Sequence, residues 1–177
     1  MRAILYVLAI VVANVVTAKF TPLTLGAFII PMGTIFIGLT FILRDLAQNK
    51  YGRKNIYIVM AIAMLVSAVT SYALGDTLWI VFASVLSFAV AETTDTEIYT
   101  RLKLPMSWRV LYSGVVGGIL DSAIFVIVGL SPLGAGFVPW EFVPFAILGQ
   151  VIVKTTLQLL GALVIRTIHR NRNIVKI

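Results

Sequence analysis

Apolar residues in this chain do not alternate with polar ones. They come in long runs, and six runs approach the roughly 20 residues that an α-helix needs to cross a bilayer. The runs cover about 2–19, 29–47, 54–74, 78–98, 108–130 and 141–167. The alternating segments of about 10 residues that build membrane β-barrels are absent. The pattern predicts an all-α fold, a single domain over residues 1–177 with six transmembrane helices. Arg2 and the apolar run to Val16 look superficially like a secretory signal. Asn14 interrupts that run and Lys19-Phe20-Thr21-Pro22 follows it, so the segment is expected to stay as the first membrane helix.

Two connections stand out. Phe20 to Gly33 carries Pro22, Gly26, Pro31 and Gly33, and Ser131 to Pro144 carries Pro132, Gly134, Gly136, Pro139 and Pro144. Gly and Pro break helices and mark turns. Both segments are long enough to cap a cavity, or else they are solvated loops.

Composition sharpens the picture. Of 177 residues 60% are hydrophobic and 12% charged, with mean hydropathy +1.03. A soluble domain would carry about 25% charged residues. The net charge of +7 comes from 14 Lys and Arg against 7 Asp and Glu. In a soluble chain it would suggest nucleic acid; here the charges gather in loops, and no nucleic-acid partner is expected. Arg2 precedes the first helix; Arg44, Lys50, Arg53 and Lys54 lie between the second and third; Arg101, Lys103 and Arg109 lie between the fourth and fifth. Arg166, Arg170, Arg172 and Lys176 follow the sixth. Asp76 and Glu141 lie on the opposite side, with Lys19 at its border. The positive-inside rule then places both termini in the cytoplasm of a cell whose inner membrane holds the chain. Trp79, Trp108 and Trp140 fall at helix ends, as interfacial anchors do.

Polar groups inside these runs are the candidates for chemistry, because ionisable side chains in hydrocarbon are costly and usually face a cavity or a partner. Phe41-Ile42-Leu43-Arg44-Asp45-Leu46 ends an apolar run in an Arg–Asp pair. Glu92 and Asp95, three apart, share one face of the fourth helix, where they either look into a cavity or pair with Arg101. Asp121 lies midway along the fifth helix, and Gln150, Lys154 and Gln158 form a stripe on the sixth. Counted at about 1.5 Å per residue, Asp121 and Lys154 reach similar depths, so an ion pair is expected, either in a site or locking two helices. Asn14 either joins the site or hydrogen-bonds across helices. Phe41 either stacks on a planar ligand or packs in the core. Gly114-x-x-x-Gly118 reads as close helix packing, and Ala9-x-x-x-Ala13 as internal packing or a docking face. Carboxylates can accept from a ring N–H and an exocyclic amine together, the pattern of a guanine-type edge.

With no cysteine and one histidine, His169, in a basic tail, no disulfide, thiol nucleophile or histidine metal cluster is expected. No phosphate-binding glycine loop and no nucleophile–base set is present, so the chain is expected to be neither an ATPase nor another enzyme, and no cofactor is implied.

In chain order the sequence resembles the VUT family of queuosine precursor transporters. The resemblance rests on Thr40-Phe41-x-x-x-Asp45-Leu46 followed by Tyr51-Gly52-Arg53-Lys54, on Glu92-x-x-Asp95-Thr96-x-Ile98-Tyr99 followed by Leu102 and Trp108, and on Ser113 and Asp121-Ser122-x-x-Phe125. Lys154 and Asn14 match polar residues of the last and first helices. Where the family often has Asn-Glu after Asp45-Leu46, Gln48-Asn49-Lys50 stand here. The resemblance implies a six-helix fold similar to the substrate-binding (S) component of energy-coupling-factor vitamin transporters. It also implies import of 7-cyano- or 7-aminomethyl-7-deazaguanine (preQ0 or preQ1). Asn14, Phe41, Asp45, Glu92, Asp95, Asp121 and Lys154 are the site residues carried over by position, and Gln158 joins them from the polar stripe. The expected partners are this small substrate and the lipid bilayer, with a homo-oligomer or an energising membrane subunit left open. The competing expectations are an S component that docks through Ala9 and Ala13, and a membrane scaffold or assembly protein whose buried charges only staple helices.

Overall fold

The computed structural model describes residues 1–26 and 28–174, with side chains up to residue 168. Lys176 therefore lies outside the described residues, as do the side chains of His169, Arg170 and Arg172. The chain folds as α1 (Arg2–Lys19), a hairpin of β1 (Leu23–Leu25) and β2 (Phe28–Ile30), α2 (Thr34–Ala73), α3 (Leu78–Arg101), α4 (Met106–Ile124) and α5 (Val143–Ile174). A π-helical turn, Phe125–Leu130, prolongs α4, and a 3-10 turn, Trp140–Phe142, leads into α5. Among the described residues, five helical segments are long and apolar enough to cross a membrane: Arg2–Lys19, Thr34–Ala73, Leu78–Arg101, Met106–Leu130 and Trp140–Ile168.

The 40 residues of α2 are not one rod, which would be about 60 Å long. Gly52 sits at φ 80°, ψ 169°, outside the helical region, and turns the chain back. Leu43 and Ala63 pack against the same Tyr6–Ile10 surface. In a straight helix they would stand roughly 30 Å apart. Arg44 and Met60 likewise both reach the Thr96 hydroxyl, at 2.9 and 3.5 Å. The two arms of α2 thus lie side by side, where the sequence suggested separate helices over about 29–47 and 54–74.

The first arm begins later and ends later than expected. Residues 28–30 pair as a strand, in the register Leu23↔Ile30, Thr24↔Ile29, Leu25↔Phe28, so the all-α expectation needs correcting by one small hairpin. Helix starts only after Pro31, whose carbonyl accepts from Thr34 N at 2.9 Å. At its far end the helix runs on past residue 47, because Gln48 faces inward and is buried. The hairpin leans on α5, with Phe28 edge-on to Phe145 at 6.2 Å. It is pinned to α1 at Gly33, where a Cβ would collide with Thr17 Oγ1 and the Ala13 carbonyl.

Small residues set the remaining contacts. Gly114 packs on Gln158, Gly117 on Asp95 and Phe41, and Gly118 on Lys154, so α4 sits tightly between α3 and α5. Ala9 and Ala13 are buried in the contact of α1 with the rest of the bundle, which answers their two readings in favour of internal packing. Large apolar side chains such as Ile58, Leu65, Val69, Leu78 and Val164 point outward, as lipid-facing positions do, and Trp79, Trp108 and Trp140 are each about half exposed.

Gly52→Ala should test the turn. The conformation of Gly52 is essentially reserved for glycine, and a Cβ there would meet nothing within 4 Å. The cost is then backbone strain alone, on the order of 1–3 kcal/mol. It should appear as a lowered unfolding temperature in detergent, whereas Ala at an exposed helical position of the same arm should leave that temperature almost unchanged.

Candidate functional site

A cavity of about 430 Å³ lies between the connections and the long helices. Its roof is made by the hairpin segment (Pro22, Ile29, Pro31) and by Phe137 and Val138 from the connection before α5. Both connections thus cap a cavity, one of the two readings open to them. Every long helix contributes a wall. Asn14 comes from α1, Phe41 from the first arm of α2, Glu92 from α3, Asp121 from α4, and Gln150 and Lys154 from α5.

The polar groups form two storeys. In the upper one Lys154 Nζ donates to Asp121 Oδ2 at 2.7 Å, to Ser122 Oγ at 2.8 Å and to Gln150 Oε1 at 3.3 Å. The ion pair expected from depth counting is present. Lys154 is buried, while Asp121 keeps 14% of its side chain exposed, toward the cavity it lines. Across the cavity Asn14 Nδ2 donates to the carbonyl and hydroxyl of Ser67, at 3.1 and 3.0 Å.

The lower storey is organised by Arg44. Its guanidinium is fully buried and meets Asp45 Oδ1 at 3.3 Å, Glu92 Oε2 at 2.9 Å and Asp95. Nη1 also donates to Thr96 Oγ1 at 2.9 Å and to Gln48 Oε1 at 3.3 Å. Gln48 Nε2 continues the network to Thr100 Oγ1 at 2.9 Å. Beneath this floor Ile42, Tyr99, Val110 and Ile165 form an apolar plug.

Arg44 is thus a correction to its reading as a loop charge, and the pairing of Glu92 and Asp95 with Arg101 is a second. Arg101 instead reaches Glu97 at 3.3 Å, alongside Arg53 at 2.5 Å. The reason is depth: Glu92 and Asp95 face the bundle axis, and Arg44 meets them there from the neighbouring helix. Arg44 could have been found by asking what neutralises two carboxylates on one buried helix face.

Of the eight candidates, Asn14, Phe41, Glu92, Asp121 and Lys154 line the cavity. Asp45 and Asp95 are fully buried behind Glu92, around Arg44. Gln158 is buried as well, donating to the Gly38 carbonyl at 3.2 Å and packed on Gly114. Tyr6, buried against Glu92 from α1, joins the site without having been singled out for it, and Gln150 of the polar stripe lines the cavity. Tyr6 shares a helix face with Ile10 and Asn14, and that spacing was the available signal.

A family model described as "Putative vitamin uptake transporter" matches residues 56–168, well over half of the chain. The chain belongs to this family. The matched span holds Glu92, Asp95, Asp121, Lys154 and Gln158; Asn14, Phe41 and Asp45 precede it. No curated protein and no solved structure matches the chain. Membership and the apolar helices together make it a multi-pass membrane protein of a transporter family.

The upper ion pair can be measured in this member of the family. Asp121→Asn strands a buried ammonium and should destabilise the protein by about 3–5 kcal/mol. Lys154→Gln should cost less, because Asp121 reaches the cavity. The double variant should be more stable than the sum of the two losses predicts, as read by unfolding in a double-mutant cycle.

Proposed function

We propose that this chain imports a queuosine precursor, preQ0 or preQ1, across the cell inner membrane through the roofed cavity. The observation that carries this reading is the convergence of Asn14, Phe41, Glu92, Asp121 and Lys154 on one cavity inside an apolar bundle. Its volume lies within the 300–1,000 Å³ common for small-molecule sites. A 7-deazaguanine is flat, with a ring N–H and an exocyclic amine along one edge and a carbonyl nearby. Glu92 and Asp121 supply acceptors for the donor edge. Gln150 Nε2, which meets no acceptor among the described residues, supplies a donor for the carbonyl, and Phe41 a face for the rings. Asp45, Asp95 and Gln158 serve the same site from behind, by fixing Arg44 and α5.

In this reading the chain is one six-helix domain. The turn at Gly52, between Lys50 and Arg53-Lys54, divides α2 into two crossings, and both termini lie in the cytoplasm. The roofed end of the cavity then faces outward, and the Arg44 floor separates it from the basic side. A cavity lined with hydrogen-bonding groups favours a transporter over a scaffold. The S-component alternative loses its docking face, since Ala9 and Ala13 are buried.

The test is thermal stabilisation of the detergent-purified protein by preQ0, preQ1, guanine and several vitamins. A rise in unfolding temperature specific to a deazaguanine, lost in Glu92→Gln, is the expected result. A well-folded protein that no deazaguanine stabilises would end the proposal.

A further inference from the structure

The charges around the floor do not balance. Asp45, Glu92, Asp95 and, one storey up, Asp121 are carboxylates; the bases facing them are Arg44 and Lys154, with Arg109 joining from α4. Arg109 also lies over the Tyr99 ring at 4.5 Å. Counting all three bases in full against four carboxylates leaves one negative charge over. Asp45 and Asp95 are wholly buried and Glu92 nearly so, and such a charge is costly in a membrane interior. Asp45 Oδ2, fully buried, meets no hydrogen-bond donor among the described residues.

We propose that this cluster binds one proton, taken from the cavity through Glu92, and that the proton drives uptake. Among the described residues Glu92 alone belongs to both places: it lines the cavity and it is bonded to Arg44. The groups facing it are Tyr6 on α1, Arg44 and Asp45 on α2, Asp95 on α3 and Asp121 on α4; Lys154 on α5 is bonded to Asp121. A metal cation would need several oxygen ligands around a free centre. Here the guanidinium occupies that centre, whereas a proton needs no room. The transfer moves a proton from cavity water to a Glu92 carboxylate oxygen. It removes the surplus charge and weakens the Glu92–Arg44 bond that ties α3 to the first arm of α2. Once these part, the proton passes to water on the basic side and the bond re-forms.

The coupling half of this inference rests on the uptake reading above; the proton site itself does not. Infrared spectra of the protein in lipid, titrated from mildly acidic to neutral pH, should show a protonated carboxyl band. The band should vanish in Glu92→Gln and persist, shifted, in Glu92→Asp. Its absence from the wild type, or its survival in Glu92→Gln, overturns the site whatever the substrate is. In proteoliposomes with the membrane potential clamped, an acidic exterior should make labelled preQ0 or preQ1 accumulate several-fold inside. Uptake that is indifferent to the pH gradient overturns the coupling and leaves the uptake reading standing. If no deazaguanine binds or enters, the uptake reading and the coupling fall together, and the infrared result alone decides the proton site.

Discussion

A guanidinium with no exposure to water, among three carboxylates, is the arrangement on which the rest of this bundle depends. Removing such charges from water costs several kcal/mol per ion, and only close ion pairing with further hydrogen bonds offsets it. That demand fixes which helices can be neighbours. The first arm of α2 must lie against α3 so that Arg44 reaches Glu92, Asp95 and Thr96 together. The turn at Gly52 must then bring the second arm back beside them, so that Met60 touches Thr96. Close to the charges the lining is small, with Gly117 against both Asp95 and Phe41, because a larger side chain would push the carboxylates away from their base.

The two storeys divide the work between stability and exposure. Lys154 spends its ammonium on Asp121, Ser122 and Gln150, which leaves Asp121 partly open to the cavity. Arg44 is spent on groups a ligand cannot reach, apart from Glu92. The site thus presents acceptors to a ligand while its bases stay engaged with the protein. Directly after Asp121 and Ser122 the helix changes to a π-helical turn at Phe125–Leu130, a departure from α geometry often found beside functional residues.

Much of this was legible in the sequence, and the reason differs by residue. Asp121 and Lys154 sit in the middle of long apolar runs, so counting depth from one face was enough to pair them. Glu92 and Asp95 declared a shared face through their spacing. Arg44 was misread because it stands near a basic turn, and hydropathy along one chain assigns such a charge to the loop; only the carboxylates on a different helix draw it inward. The hairpin was missed for another reason. Strands of three residues, Leu23–Leu25 and Phe28–Ile30, are too short to show a period, and their second half continues smoothly into an apolar helix. The fate of Gln158 depended on Gly38 and Gly114, neighbours that no local pattern reveals.

The seam at Gly33 bears on how the cavity can open. The roof hairpin is not a loose flap laid over the bundle, for Gly33 is wedged against the Ala13 carbonyl and the Thr17 side chain of α1, and Ile30 rests on Gly149 of α5. Lifting the roof by itself would break both contacts at once. The roof is therefore pinned to α1 on one side and to α5 on the other, and because Tyr6 of α1 lies against Glu92, a tilt of α1 would be felt at the roof and at the floor together.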